Sequence, residues 1–313
     1  MTLDPSAGAG LLLYPGAQAA AVHGLSDLLS VAGRLAGTVL RVSHWQPAGD
    51  RLVPVFDSAG NGLMPAVVVL PPSLGEPPGS TPAITGWLHD RQAAGTVLCS
   101  VCAGAFLLAD AGLLAGRPAT THWSYAETLA SRHPGVKVDA DRLIIDDGDI
   151  ITAGGVMAWT DLGLILVERF FGPALMMATA RFFLLDPPGR EQRFYARFQP
   201  KTDHGDSAIL KVQQRLAAAG PAADLGVAAM AAEAGLEERT FLRRFRKATG
   251  LRPTEYCQQL RLAAARERLE TTRDAIDSIA FTVGYQDPGA FRKLFLKRVG
   301  LSPGDYRRRF GSL

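Results

Sequence analysis

VAAMAAEAGLEERTFLRRFRKATG, residues 227–250, and AIDSIAFTVGYQDPGAFRKLFLKRVG, residues 275–300, are one pattern written twice. Each copy reads as a short apolar helix, a turn glycine (Gly235, Gly284) and a second helix with Phe at i and i+4. Phe241/Phe245 and Phe291/Phe295 lie one helical turn apart, so each pair faces one core, and the Arg and Lys residues between them point elsewhere. Two helix-turn-helix units in tandem suit the reading of a DNA duplex.

Working outward, Pro253 precedes a helical pattern over Thr254–Glu270, a rigid spacer of about 25 Å at 1.5 Å per residue. Asp287-Pro288 and Ser302-Pro303 read as N-caps followed by Pro at the first helical position. The first copy has Glu237 at the matching place, a poorer cap. From about Asp203 onward everything reads as helix.

Charge follows the same division. Residues 1–200 carry a net −4 and residues 201–313 a net +7, so the cationic excess lies wholly in the part that holds the repeats. This is the footprint expected of a nucleic-acid-binding domain beside one that leaves nucleic acid alone. The 313 residues, 47% hydrophobic, suit two domains with separate cores. Apolar runs such as Leu11–Tyr14 and Ala66–Leu70 are far shorter than the ~20 residues of a membrane span. No secretory signal is expected at the N-terminus. Three cysteines (Cys99, Cys102, Cys257) fit a reducing cytoplasm better than a disulfide framework.

The first two hundred residues alternate strand-like runs (10–14, 38–45, 66–70, 96–101) with helix-like stretches (17–35, 81–94, 103–114, 123–131). Asp147-Gly148 between Leu143–Ile145 and Ile150–Thr152 signals a hairpin, and two more helices follow over 158–170 and 173–184. The expected fold is α/β: a flavodoxin-like α/β/α sandwich with a mostly parallel sheet, followed by an all-α domain of two helix-turn-helix units. The domain limits read as 1–190, a linker over 191–204, and 205–313.

The C-terminal stretch resembles the AraC/XylS transcription regulators. The residues that carry the resemblance include Met230, Ala231, Gly235, Arg239, Phe241, Phe245, Gly250, Pro253 and Tyr256, then Ile279-Ala280, Gly284-Tyr285, Phe291, Phe295, Gly300 and Pro303. The resemblance implies that each second helix enters a major-groove segment on one face of promoter DNA. The expected base-facing residues are Arg239, Leu242 and Arg243 in the first unit and Gly289, Arg292 and Lys293 in the second. Arg246, Lys247, Lys297 and Arg298 are placed for phosphates. A solvated helix face is the plain alternative for any one of these cations.

The segment TVLCSVCAGAFLLADAGLLAGRPATTHW (96–123) ends an apolar strand at Cys102, turns through Ala103 and Gly104, and reaches His122. A thiol at such a strand-to-helix corner, near a helix N-terminus, is expected to have a lowered pKa. The layout resembles the ThiJ/PfpI group of class I glutamine-amidotransferase-like domains, and the whole chain the GlxA-like AraC regulators. The resemblance places a small-molecule pocket at the corner, with Cys102, Ala103, His122 and Ser73 facing it. It also implies a homodimer, and contact with RNA polymerase fits such a regulator.

Catalysis is not expected. Enzymes of that superfamily carry a Glu after the first strand, where GAQAAAV (16–22) has alanine, and the loop after 66–70 offers Pro72, which has no N–H to donate. A cysteine-dependent amidase or glyoxalase-like enzyme and a thiol redox switch remain the alternatives. Cys102 also reads as a small residue fitting a sharp corner, His122 as a structural histidine, and Asp161 as a cap, a partner or a pocket residue. No metal or cofactor is expected, since Cys99-x-x-Cys102 has no second pair to complete a zinc site.

Overall fold

The computed structural model describes residues 3–223 and 225–312. The chain divides into two compact units, Met1–Arg193 and Phe194–Leu313.

In chain order the first unit comprises β1 (Ala9–Leu12), α1 (Ala19–Leu35), β2 (Val42–Ala48), β3 (Arg51–Asp57), β4 (Val67–Leu70), α2 (Pro82–Ala93), β5 (Val97–Val101) and α3 (Ala105–Asp110). It continues with β6 (Pro118–Ala119), α4 (Ala126–Arg132), β7 (Lys137–Val138), β8 (Ile144–Asp146), β9 (Ile150–Ala153), α5 (Trp159–Phe171) and α6 (Pro173–Phe183). Seven strands form one sheet in the order β3-β2-β1-β4-β5-β9-β8. Its five inner strands are parallel, and β3 and β8 pair antiparallel at the two edges.

Successive strand side chains alternate between faces, and both faces are covered. Val67, Val69 and Cys99 join a core with Leu25 of α1 and Leu162 of α5. Val68, Leu70 and Leu98 join another with Ile84 of α2, Phe106 of α3 and Leu129 of α4. Strands buried on both sides need unbroken apolar runs, which is why β4 reads VVVL.

Three local expectations fail. The second strand begins at Val42 rather than residue 38. The edge strand β3 was not foreseen, because Pro54 and exposed residues hide its period. The single helix expected over 103–114 is instead a 3₁₀ turn, Cys102–Gly104, followed by the six residues of α3. Gly112, at φ +74°, stops it.

The second unit is all helix: α7 (Ser207–Ala219), α8 (Val227–Glu233), α9 (Glu238–Thr249), α10 (Pro253–Thr271), α11 (Ile276–Thr282), α12 (Pro288–Val299) and α13 (Pro303–Phe310). It has two cores. Phe241, Phe245, Met230 and Ala231 pack with Ile209 and Val212 of α7 and Tyr256 of α10. Phe291, Phe295, Ile279 and Ala280 pack with Leu262, Ala265 and Leu269 of α10 and Tyr306 of α13. The 19-residue α10 therefore serves both cores and is about 28 Å long at 1.5 Å per residue. Among the described residues, no helix is long and apolar enough to cross a membrane.

Candidate functional site

Each helix-turn-helix closes through a glycine in the left-handed region, Gly235 at φ +64° and Gly284 at φ +93°. A β-carbon disfavours that conformation, so the turn selects glycine. Ala231 and Ala280 are buried where the paired helices cross, and larger side chains there would hold the helices apart. The second helices start differently. Asp287 accepts from the Gly289 N–H at 2.7 Å, with Pro288 following, whereas Glu237 makes no side-chain cap. Both end at left-handed glycines, Gly250 and Gly300.

With Phe241, Phe245 and Ala248 buried on α9, and Phe291, Phe295 and Val299 on α12, the opposite faces are open. Arg239, Leu242, Arg243, Arg246 and Lys247 are all exposed on α9. On α12, Arg292, Lys293, Lys297 and Arg298 are exposed and Gly289 is half-buried. Positions three and four apart share a helical face, so Arg239, Leu242, Arg243 and Arg246 form one stripe, and Gly289, Arg292 and Lys293 begin another.

Sequence reading missed two tethers on these helices. Arg244 is turned away from the stripe and bonded to Asp206, the N-cap of α7. Arg292 reaches back to Asp277 on α11. Neither carboxylate sits at a spacing that single-helix patterns reveal.

In the first unit, Cys102 occupies the corner after β5 with φ +54°, a conformation that costs a non-glycine residue energy. The corner is held from several sides. Thr121 Oγ1 donates to the Cys102 carbonyl at 2.8 Å. Gly104 lies so close to the Leu70 and Pro71 carbonyls that a β-carbon would collide with them. The Tyr14 hydroxyl donates to the Pro71 carbonyl at 2.5 Å, and the Gln18 N–H donates to the Pro72 carbonyl at 2.7 Å. The loop after β4 thus presents carbonyls that are already engaged.

The expected low thiol pKa is overturned. Burial pushes the Cys102 thiol up to about 11, against the backbone N–H groups of Ala103 and His122, which favour the thiolate. The residue is only 1% exposed. Desolvation of the thiolate outweighs those two N–H groups. Cys99 is raised further by complete burial in the sheet.

His122 is half-buried, and burial lowers its pKa, so the neutral ring is favoured. Its Nδ1 lies 2.7 Å from Ser124 Oγ and accepts from the Ser124 N–H at 3.2 Å. Its ring is flanked by Trp123 and Tyr125 at centroid distances of 5.2 and 6.0 Å. Ala103 is buried. Ser73 is 5% exposed and closes its own turn, accepting from Gly75 N–H and donating to the Glu76 carbonyl, both at 3.3 Å. Ser73 is thus occupied in a structural turn.

Gln192 is a further residue that the sequence did not flag. Its amide donates to Thr120 Oγ1 and to the carbonyls of Thr121 and Arg142, at 3.1, 2.8 and 3.1 Å, and its oxygen accepts from Trp123 N–H at 3.1 Å. It holds the loop that carries His122, between β6 and the turn at Trp123. Asp161 is buried and paired with Arg190, so of the three roles left open for it, partner is the one observed. Among the described residues, no cluster of three or more His, Cys, Asp or Glu is arranged to hold a metal ion.

Comparison with known proteins bears on both units. Residues 230–309 match the helix-turn-helix domain family and residues 66–169 the DJ-1/PfpI family. The HTH-type transcriptional regulator GlxA of Rhizobium meliloti is 31% identical over 215 residues, which cover 68% of this chain and 65% of the relative. CdhR of Pseudomonas aeruginosa, another HTH-type transcriptional regulator, is 30% identical over 230 residues, 72% of this chain and 67% of the relative. An isonitrile hydratase of Pseudomonas putida is 30% identical over 174 residues, 52% of this chain and 72% of the relative. The chain spans about two thirds of the length of the two regulators.

A DJ-1/PfpI-type α/β unit followed by paired helix-turn-helix motifs is the build of a transcription-regulator class. This chain belongs to that class, the AraC-type helix-turn-helix transcriptional regulators with a DJ-1/PfpI domain.

Proposed function

We propose that the protein is a sequence-specific regulator of transcription that binds double-stranded promoter DNA through α9 and α12. The observation that carries this reading is the pair of exposed cationic stripes set opposite buried phenylalanines. In this reading Arg239, Leu242 and Arg243, with Gly289, Arg292 and Lys293, face base edges. Arg246, Lys247, Lys297 and Arg298 hold phosphates. Arginine can bridge guanine O6 and N7, while an exposed leucine suits a thymine methyl.

The first unit, in the same reading, is a non-catalytic sensor of a small molecule and a homodimerisation module, in a cytoplasmic protein that meets RNA polymerase at promoters. A ligand that favours one arrangement of the two units shifts the population competent to hold DNA. Support for the absence of catalysis comes from the protonated, buried thiol and from the loop at Pro71-Pro72, which has no N–H groups to give an oxyanion.

The test is selection of duplexes from a random library by the full chain, repeated with Arg239→Ala and Arg292→Ala. The wild type should enrich one bipartite sequence, and each variant should lose preference at particular base pairs. Enrichment of no sequence at any salt concentration removes the assignment.

One observation favours a second reading, that of a cysteine enzyme. Cys102 has the left-handed corner geometry, the backbone N–H groups of Ala103 and His122 favour its thiolate, and the isonitrile hydratase is similar over 174 residues of this chain. Turnover of an isonitrile that disappears in Cys102→Ala would establish it.

A further inference from the structure

The segment Phe194–Phe198 enters the second unit ahead of α7 and is fastened to both helix-turn-helix cores. Phe198 stands edge-on to Tyr256 with ring centroids 5.2 Å apart, and Tyr256 stands edge-on to Phe245 at 5.4 Å. Three residues earlier, Tyr195 stands edge-on to Phe310 at 5.3 Å. Phe310 packs on Tyr306 at 4.7 Å, and Tyr306 on Phe295 at 5.5 Å. A line of aromatic rings thus runs from the core of the first helix-turn-helix to that of the second, and residues 195–198 supply its middle.

Polar contacts pin the same segment to α10. Arg266, 9% exposed, donates to the Ala196 carbonyl and lies 5.5 Å over the Tyr306 ring. Arg197 pairs with Glu270 at 2.8 Å, and Glu270 also accepts from the Tyr306 hydroxyl at 2.7 Å. Arg309 donates to the Tyr195 hydroxyl at 2.9 Å. A buried guanidinium is costly unless hydrogen-bonded, and Arg266 meets that need on the backbone of the segment.

The two cores are separate clusters, both seated on α10. A helix fixes their separation along its axis but leaves each bundle free to rock about it unless something else spans the pair. Arg261 makes one such tie, donating to the Pro221 carbonyl at 3.1 Å and lying 5.8 Å over the Tyr285 ring. The aromatic segment is the more extensive tie.

We infer that Tyr195, Phe198 and Arg266 determine the spacing specificity of DNA reading: residues 194–198 act as a clasp that holds α9 and α12 at one mutual setting. The inference rests on the proposed DNA-reading function. Inserting one base pair moves a half-site by about 3.4 Å and rotates it by about 35° on a duplex of 10–10.5 base pairs per turn. A rigid pair of helices cannot follow both changes, whereas a loosened pair can. Rigid linkage also sets the effective concentration of the second contact once the first has formed.

The experiment uses the full chain and the duplex it selects, together with duplexes lengthened or shortened by one base pair between the two boxes, and single-box duplexes. The wild type should lose about tenfold or more in affinity on insertion, as expected when linked contacts can no longer form together. In Phe198→Ala, Tyr195→Ala and Arg266→Met that penalty should fall to about threefold or less, with single-box affinities unchanged, because only the linkage has loosened. Should Phe198→Ala or Arg266→Met fail to fold by circular dichroism, Tyr195→Ala combined with Arg197→Ala carries the test, since both side chains are exposed. A penalty that stays at the wild-type value in folded variants overturns the clasp and leaves the spacing to α10 and the Arg261 tie. A wild type that selects no duplex at all overturns the DNA-reading function instead.

Discussion

Arg244 on α9 grips both carboxylate oxygens of Asp206, at 2.9 and 2.7 Å, and Asp206 in turn caps α7 by accepting from the Ile209 N–H at 3.2 Å. The pair fastens α9 to α7. It also sets Arg244 apart from Arg243, Arg246 and Lys247 on the same helix, as the one engaged in this ion pair.

This linkage has a pH signature. The hydrogen bonds from Arg244 hold the Asp206 carboxyl below the ordinary carboxylate range. A group whose folded pKa is depressed stabilises the fold fully above its unfolded value, about 3.9, and loses that contribution as pH falls through the folded value. Acid unfolding of the second unit should therefore steepen below about pH 4. Asp206→Asn should flatten that limb and lower stability at neutral pH. Helical circular dichroism followed from pH 7 to pH 2 reads both effects, and an unchanged profile in the variant would exclude the coupling.

The two phenylalanine pairs predict paired stability losses. Phe245 and Phe295 are fully buried in separate cores. Truncating a buried Phe to Ala costs about 3–5 kcal/mol. Phe245→Ala and Phe295→Ala should each shift denaturant unfolding by that order, while Lys293→Ala, on the exposed face, should leave it within about 0.5 kcal/mol.

Arg239→Ala and Arg292→Ala are expected to weaken binding to the selected duplex by about 1–3 kcal/mol each if the side chain makes a bidentate base contact. Lys297→Ala should instead weaken all duplexes alike and reduce the salt slope by about 1. Fluorescence anisotropy at several salt concentrations separates the two kinds of contact. Equal losses on every sequence for Arg292→Ala would move that residue to the phosphate class.

Cys102 should resist modification. With its pKa at about 11 and 1% exposure, it is a buried thiol at neutral pH. The half-buried Cys257 should react first with iodoacetamide, and Cys102 only as pH approaches 11 or as the unit opens. Intact mass over time at pH 7 and pH 9 checks the order. Rapid labelling of Cys102 at pH 7 would revive the redox and enzymatic alternatives.

Gln192→Ala should loosen the loop that holds His122. The substitution takes the Gln192 donor away from the buried Thr121 carbonyl, while the Arg142 carbonyl keeps its bond from Thr120 Oγ1. Such a loss at a buried carbonyl costs about 1–3 kcal/mol. A lower melting temperature and faster amide exchange at residues 120–123 are the expected readouts.

Much of this was visible in the order of residues. Phe at i and i+4 after a turn glycine specifies a helix with one buried face, whatever surrounds it, because the period of the helix is local. Runs such as VVVL imply a strand covered on both sides for the same reason. The thiol at Cys102 was misjudged because a pKa depends on how completely neighbours exclude water, and no spacing rule reports that. The edge strand β3 escaped notice because exposed edge positions impose no apolar period.

By itself, then, the sequence determined most of the elements, their division into an α/β unit and a paired helical unit, and the cationic faces of α9 and α12, since each follows from periodicity and charge over short stretches. Only the tertiary structure decided which arginines are tethered, as Arg244 is to Asp206 and Arg266 to Ala196. It alone showed that Gln192 braces the His122 loop and that residues 194–198 span two cores. Those contacts join residues up to about a hundred positions apart, and distances of that kind are set by how layers pack rather than by any local repeat.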